Sequence, residues 1–222
     1  MNNDTKKNKS LILTIIGLVI MTLMSLTKIM PSTAIAGYSV LVGIAFFFII
    51  EAVDKISDEE SGLRFKTFIK DMKKPWVLPL VLLPIITGTA TLLIGDLIFN
   101  GGFSAHVIGR TGSMLSFDKM WLLIFQVIIA ALGEEIAWRG FFVGKGMKIF
   151  PFWLCAIVSS VLFAAGHVSV GSIGLVFYDV ATIFIDSLIY AVIYKKSGNC
   201  LISTVAHILC NATGIAVTLI FL

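Results

Sequence analysis

The sequence predicts an all-α fold, a polytopic transmembrane helical bundle of about seven spans with room for an eighth helix. Three observations predict it. Of the 222 residues, 58% are hydrophobic and only 14% charged, with a mean hydropathy of +0.99, whereas about half of a soluble domain is apolar. Apolar runs recur along the chain near the roughly 20 residues that a helix needs to cross about 30 Å of hydrocarbon. Lys and Arg gather in alternate connections between those runs. Helices are expected over strands because backbone polar groups in lipid must be satisfied within their own segment.

The first span reads Leu11 to Met30. Ala34-Ile35-Ala36 behind it mimics a signal-peptidase site, but the apolar run exceeds the roughly 7 to 15 residues of a signal-peptide core, so the helix is read as retained. The second span is Ser32 to Val53. The charged stretch Asp54 to Lys74 sets Leu63, Phe65, Phe68, Ile69 and Met72 among basic residues, which suits either a short helix lying in the membrane interface or a solvated loop. Pro75 to Phe99 is the third span. Asn100 to Lys119, rich in Gly and Ser, reads as an irregular loop with His106 on its surface. Met120 to Phe142, Phe152 to Val168, Ile173 to Tyr194 and Leu201 to Leu222 complete the set.

In an alternating seven-span order, Lys6, Lys7, Lys9, Lys55, Arg64, Lys66, Lys70, Lys73, Lys74, Lys145, Lys148, Lys195 and Lys196 share one side, and only Lys28, Arg110 and Lys119 take the other. The positive-inside rule then sets the N terminus in the cytoplasm and the C terminus outside. This topology also accounts for the net charge of +4 without nucleic acid as a partner. Residues 1–74 read as a two-helix hairpin with an amphipathic loop, and 75–222 as the core of one membrane domain. Cys155, Cys200 and Cys210 lack C-x-x-C spacing and read as small packing residues. Glu51 and Asp96 lie near span ends and receive no role.

Chemistry gathers in the second half. Glu134 and Glu135 sit inside an apolar run, where an ionised group costs several kcal/mol, from roughly 3 upward, so such residues are kept mainly for function. Glu135 and Arg139 are four apart and share a helix face, as an ion pair requires. Glu134 is turned about 100° from Glu135 and lacks that partner. Desolvation should favour its protonated form, which makes it a proton acceptor near neutral pH. A purely structural ionic knot of Glu134, Glu135 and Arg139 is the competing reading. His167 in the fifth span and His207 in the seventh lie deep in apolar sequence, and His207 and Asn211 project from one face. Imidazole with carboxamide offers the neutral donors of an oxyanion site. From the lysine-rich ends of their spans, Glu134 and His207 lie about 13 and 10 Å deep and His167 about 22 Å, so the fifth helix must start later, tilt or leave the membrane.

These residues resemble a known family. E-E-x-x-x-R at Glu134 to Arg139, F-x-x-x-H at Phe163 to His167 and H-x-x-x-N at His207 to Asn211 follow the order and helix context of the CPBP (Abi, or CAAX protease and bacteriocin-processing) intramembrane peptidases, which include the Ras converting enzyme. Gly140-Phe141-Phe142 and Ser197-Gly198-Asn199 also look like the family. The resemblance implies an endopeptidase with a cavity between helices that opens toward the cytoplasm. Glu134 would activate water, His167 would help to hold it, His207 and Asn211 would stabilise the oxyanion, and Glu135 with Arg139 would support them. No cofactor is required on this reading. A metalloprotease version offers zinc three ligands, Glu134, His167 and His207, with an open position; H-E-x-x-H is missing and Asn211 is a poor zinc ligand, which favours chemistry without metal.

Asp179 and Asp186, seven apart on one face of the sixth span, depart from the small or apolar residues more usual in the family. With Phe163 they are candidates to line the substrate cavity; they could also alter the pairing of Arg139 or hydrogen-bond a neighbouring helix. The expected partners are the lipid bilayer and a small peptide or membrane-anchored protein substrate. A composition rich in Lys and Ile hints at a low-GC bacterium and its plasma membrane, and favours bacteriocin or pheromone precursors over prenylated C-a-a-X termini. Two other classes stay open: a bacteriocin self-immunity protein that acts by binding, and a proton-coupled transporter with Glu134, Asp179 and Asp186 as a relay.

Overall fold

The computed structural model describes residues 3–27, 36–112 and 115–221, with the side chains of 8–27, 38–112 and 115–219. Lys28 and the Ala34-Ile35 pair of the signal-like triplet lie outside the described residues, as do the side chains of Lys6 and Lys7. All regular structure among the described residues is helical. The order is α1 (Asn3–Leu26), α2 (Ala36–Asp54), α3 (Phe68–Met72), α4 (Val77–Ile98), α5 (Gly102–Thr111), α6 (Met120–Glu135), a π-helical segment (Ile136–Val143), α7 (Gly144–Gly146), α8 (Phe152–Ala165), α9 (Ile173–Ser197) and α10 (Cys200–Phe221).

Among the described residues, five stretches are long and apolar enough to cross a membrane: Asn8–Leu26, Val77–Ile98, Met120–Gly146, Ile173–Ser197 and Cys200–Leu219. Large apolar side chains on their outer faces stay uncovered, among them Leu78, Ile86, Leu97 and Trp121, which is the surface that lipid would cover. The fifth expected span closes early. α8 has 14 residues, about 21 Å of helix, and breaks at Gly166. His167 falls in the turn beyond, its N–H bonded to the Ala164 carbonyl at 3.0 Å, which accounts for its excess depth in the sequence reading.

The loop expected to be irregular between 100 and 119 holds a ten-residue helix, α5. Its start is built from Asp96, which closes one side chain over two donors: Ser104 N–H at 2.8 Å and the Ser104 hydroxyl. Asn100 and Gly101 take positive φ values of 52° and 79° to turn the chain there, a conformation that glycine adopts without steric cost. Asp96 therefore has a role that its position near a span end concealed.

At the centre, the helix of the two glutamates widens into the π segment directly after Glu135. All eight of its residues are buried, among α2, α6, α8, α9 and α10. Met21, Phe47, Trp138 and Phe141 form the surrounding core. π turns concentrate at functional sites, and the 100° rotation per residue assumed from sequence ends at Ile136. Close approach needs glycine here: a Cβ on Gly144 would lie 2.2 Å from the Tyr194 hydroxyl oxygen.

One end of the bundle is sealed. The Cys200 N–H donates to the Gly62 carbonyl at 2.8 Å. The Asn199 side chain pairs with the Arg64 backbone through bonds of 3.1 and 2.9 Å, and the Arg64 guanidinium donates to the Ser197 carbonyl. Lys145, counted from sequence as a loop cation, is instead buried and 2.9 Å from Glu51, over the Phe47 ring. Glu51 also accepts the Ser61 hydroxyl, so its expected lack of a role is corrected too. The helix reaches Gly146 rather than ending at Phe142, which carries Lys145 inside. Residues 68–72 form the short helix α3, with Ile69 on it and Phe65 just before it exposed.

Candidate active site

Glu135 and Arg139 are both fully buried, with Arg139 NH1 3.0 Å from Glu135 Oε1. That contact is an ion pair without an aligned N–H bond, since NH1 has no hydrogen-bond acceptor in line. The aligned bonds run from NH2, to the Ser187 carbonyl at 2.9 Å and the Ser187 hydroxyl at 2.8 Å. Ser187 in turn donates to the Ser160 hydroxyl. The guanidinium lies between the rings of Phe163 and Tyr190, 5.1 and 5.2 Å from their centroids. A buried cation is thus met by a carboxylate, two oxygens and two π faces.

Glu135 does more than hold Arg139. His207 Nδ1 lies 3.0 Å from the same Oε1, and a carboxylate can only accept, so Nδ1 carries a proton. The Tyr190 ring stacks on the imidazole at 4.6 Å and 19°, fixing its plane. His207 Nε2 then points to Glu134 Oε2, 3.6 Å away. His167 is oriented by the same logic: Nδ1 sits 2.8 Å from the Phe163 carbonyl, which accepts only, so Nδ1 donates and Nε2 keeps its lone pair. Phe163 also touches the His167 ring, with centroids 4.7 Å apart.

A cavity of about 1170 Å³ collects these groups. Glu134, His167, His207, Asn211, Phe163, Asp179, Asp186 and Tyr190 line it, whereas Glu135 and Arg139 stand behind its wall. The two glutamates are separated by the geometry: Glu134 keeps 19% of its side chain exposed and Glu135 none. No lining residue comes from 54–87, 137–162 or 191–206, the stretches that make the sealed, lysine-rich end. The cavity occupies the other half, under α5. The start of α1, with Ser10 bonded to Asp54, stands at the lysine-rich end, away from the cavity.

Asp179 and Asp186 both line the cavity, but neither is bonded to Arg139. Asp186 accepts the Thr87 hydroxyl at 2.7 Å. Asp179 is met by Arg110 Nε at 3.0 Å and His106 Nε2 at 3.2 Å. His106, expected on the surface, has a side chain only 6% exposed. Its partner is 73 residues away, out of reach of a local reading. One signal was present: His106 and Arg110 are four apart, so in a helix they share a face. Tyr190 and Ser187 were also missed, and nothing in their local sequence marks them. No hydrogen bond among the described residues joins Glu134, Asp179 and Asp186 into a relay.

The three zinc ligands that the sequence offered do not fit a metal as arranged. Among the described residues no three His, Cys, Asp or Glu side chains converge at ligand distance. The three cysteines are free and buried. Cys210 donates to the Pro84 carbonyl.

Searches among curated proteins and solved structures return no match. A family model described as type II CAAX prenyl endopeptidase Rce1-like matches residues 116–213. That segment contains every member of the acid and histidine cluster, from Glu134 to Asn211, and stops short of His106 and Arg110. Residues 116–213 are thus similar to that family, over less than half of the chain.

Proposed function

We propose that this chain is an intramembrane endopeptidase that hydrolyses a peptide bond in a small peptide or membrane-associated substrate, with Glu134 as the base that activates water. One observation carries the reading: Glu134 alone of the buried acid pair reaches the cavity, beside a histidine whose far nitrogen is held by the other acid. The lone pair of His167 Nε2 accepts one proton of the water in a hydrogen bond, and Glu134 takes the other as the oxygen attacks the carbonyl carbon. Negative charge grows on the carbonyl oxygen, where the Asn211 amide donates. His207 Nε2 donates as well when the ring carries both protons, the state in which each nitrogen faces a carboxylate oxygen. Collapse of the tetrahedral intermediate breaks the C–N bond, and Glu134 returns its proton to the leaving amine. Water is consumed and no redox partner is needed.

The cavity lies in the half that carries α5. Read with the lysine distribution, this half faces away from the cytoplasm. Substrate presented from the outer side, not from the cytoplasmic face, is the reading consistent with both.

The test is direct. Purified full-length protein in phospholipid nanodiscs is incubated with bacteriocin and pheromone precursor peptides, with and without a zinc chelator, and products are read by mass. Cleavage insensitive to chelator is expected in the wild type. Glu134→Gln, His167→Ala and His207→Ala should lose cleavage while the protein remains folded. Retained cleavage in Glu134→Gln removes the central assignment. Protection of cells from a bacteriocin that survives Glu134→Gln points instead to a role in immunity by binding.

A further inference from the structure

Arg110 has a guanidinium edge that no acceptor among the described residues engages. It stands on α5 one turn after His106, and both reach across to Asp179 on α9. Arg110 Nε lies 3.0 Å from Asp179 Oδ2, an ion-pair contact rather than an aligned bond, and NH2 donates to Oδ1 at 3.4 Å. His106 Nε2 is 3.2 Å from Oδ2 and 3.3 Å from the Ser169 hydroxyl. A guanidinium is a flat fork of five N–H donors. Asp179 occupies the edge formed by Nε and NH2. No acceptor among the described residues engages NH1.

This free edge belongs to the cavity. Arg110, His106, Ser169 and Asp179 line the same 1170 Å³ space as Glu134 and His167, and Arg110 is near enough for its charge to bear on both of those residues. The rest of the lining is largely apolar. An ion pair meant only to fasten α5 to α9 needs one edge of the cation, and a lysine would supply it. A second edge at a cavity lined mostly by apolar residues is suited to a planar anion, for which two parallel N–H donors give both strength and orientation.

We propose that Arg110 is a specificity-determining residue whose free edge binds a carboxylate of the substrate peptide, with Asp179 and His106 as positioning residues that hold the fork. The carboxylate is a free C terminus or an Asp or Glu side chain, and its capture sets which peptide bond reaches Glu134. This rests on the endopeptidase reading.

Binding tests it without turnover. Full-length protein carrying Glu134→Gln, in nanodiscs, is titrated with a fluorescein-labelled hexapeptide of alternating leucine and alanine. Three forms are compared: the free C-terminal acid, the C-terminal amide, and the amide with one alanine replaced by glutamate. The acid, the glutamate form or both should bind about tenfold more tightly than the plain amide, the effect of a hydrogen bond to a charged group. The form that gains identifies the source of the carboxylate. Arg110→Gln should erase the gain, Arg110→Lys should restore part of it, and Asp179→Asn should weaken it. Equal binding of all three peptides, no binding of any at millimolar concentration, or a gain that persists in Arg110→Gln overturns the proposal. Should Arg110→Gln fail to fold, the three-peptide comparison with Arg110 intact still decides. An acid preference without cleavage by the Glu134 protein sinks the endopeptidase reading alone, and cleavage without acid preference sinks this subsite alone.

Discussion

Arg139→Met is the sharpest perturbation of the buried network, and its size can be worked from the contacts. The side chain is fully buried beside a fully buried Glu135. Removing the cation leaves the buried carboxylate with the His207 N–H but no fixed opposite charge, which costs about 3–5 kcal/mol. The two bonds from NH2 to Ser187 are charge-assisted, at about 1.5–3 kcal/mol each, and the sandwich of rings adds about 2 kcal/mol. These overlap and do not sum, and the methionine stem keeps part of the packing, so the expected loss is about 4 kcal/mol. Arg139→Lys keeps the charge but not the fork and should lose about half as much. Replacing both partners, Glu135→Leu with Arg139→Met, removes the stranded charge and should recover most of the stability, as buried pairs exchanged for apolar residues do. The assay is equilibrium unfolding in mixed detergent micelles, followed by tryptophan fluorescence, since Trp138 lies in the same core. A loss of less than about 1 kcal/mol for Arg139→Met, the range of an exposed pair, would refute the reasoning.

Three more predictions follow from other parts of the molecule. Gly144→Ala drives a Cβ to 2.2 Å from the Tyr194 hydroxyl oxygen and should cost about 1–3 kcal/mol; Tyr194→Phe in the same protein should return part of it, and a cost that is unchanged speaks against the clash. Intact cells expressing Val170→Cys should react with a membrane-impermeant maleimide while Lys70→Cys does not, because Val170 is exposed at the α5 end and Lys70 stands at the lysine-rich end; the reverse pattern inverts the orientation. At Asp71, burial raises the carboxyl, but bonds from Lys74 and Thr67 and the charges of Lys74 and Arg64 outweigh it and hold the group below its ordinary value. The stability it contributes is present above the unfolded value and lost as pH falls through the lowered one, so acid titration of stability should lose that component in Asp71→Asn.

What could be read from the chain divides along the range of the interactions. Length and apolarity marked the crossing helices because each span satisfies its own backbone. The Glu135–Arg139 contact was legible because four residues make one turn. His207 bridging Glu135 toward Glu134, the stack of Tyr190, and Asp179 with its two cations all depend on segments 17 to 73 positions away and carry no local mark. Gly and Ser made 100–119 look irregular, yet Asp96 supplies from the preceding helix the acceptor that starts α5. Lys145 looked like a loop cation because Glu51, which neutralises it, lies 94 residues earlier. The π segment escaped for a different reason. Its eight residues are all buried, and a hydropathy profile does not register the width of a turn.

The bonds at the lysine-rich end have a consequence for a site that they do not touch. Asn199, Arg64 and Gly62 tie the start of α10 to the connection that leads into α3, and none of them lines the cavity. His207 stands about two turns further along the same helix. The imidazole is thus carried on a post whose foot is fixed, and a change at Asn199 reaches it as a shift of the whole helix rather than as a lost contact.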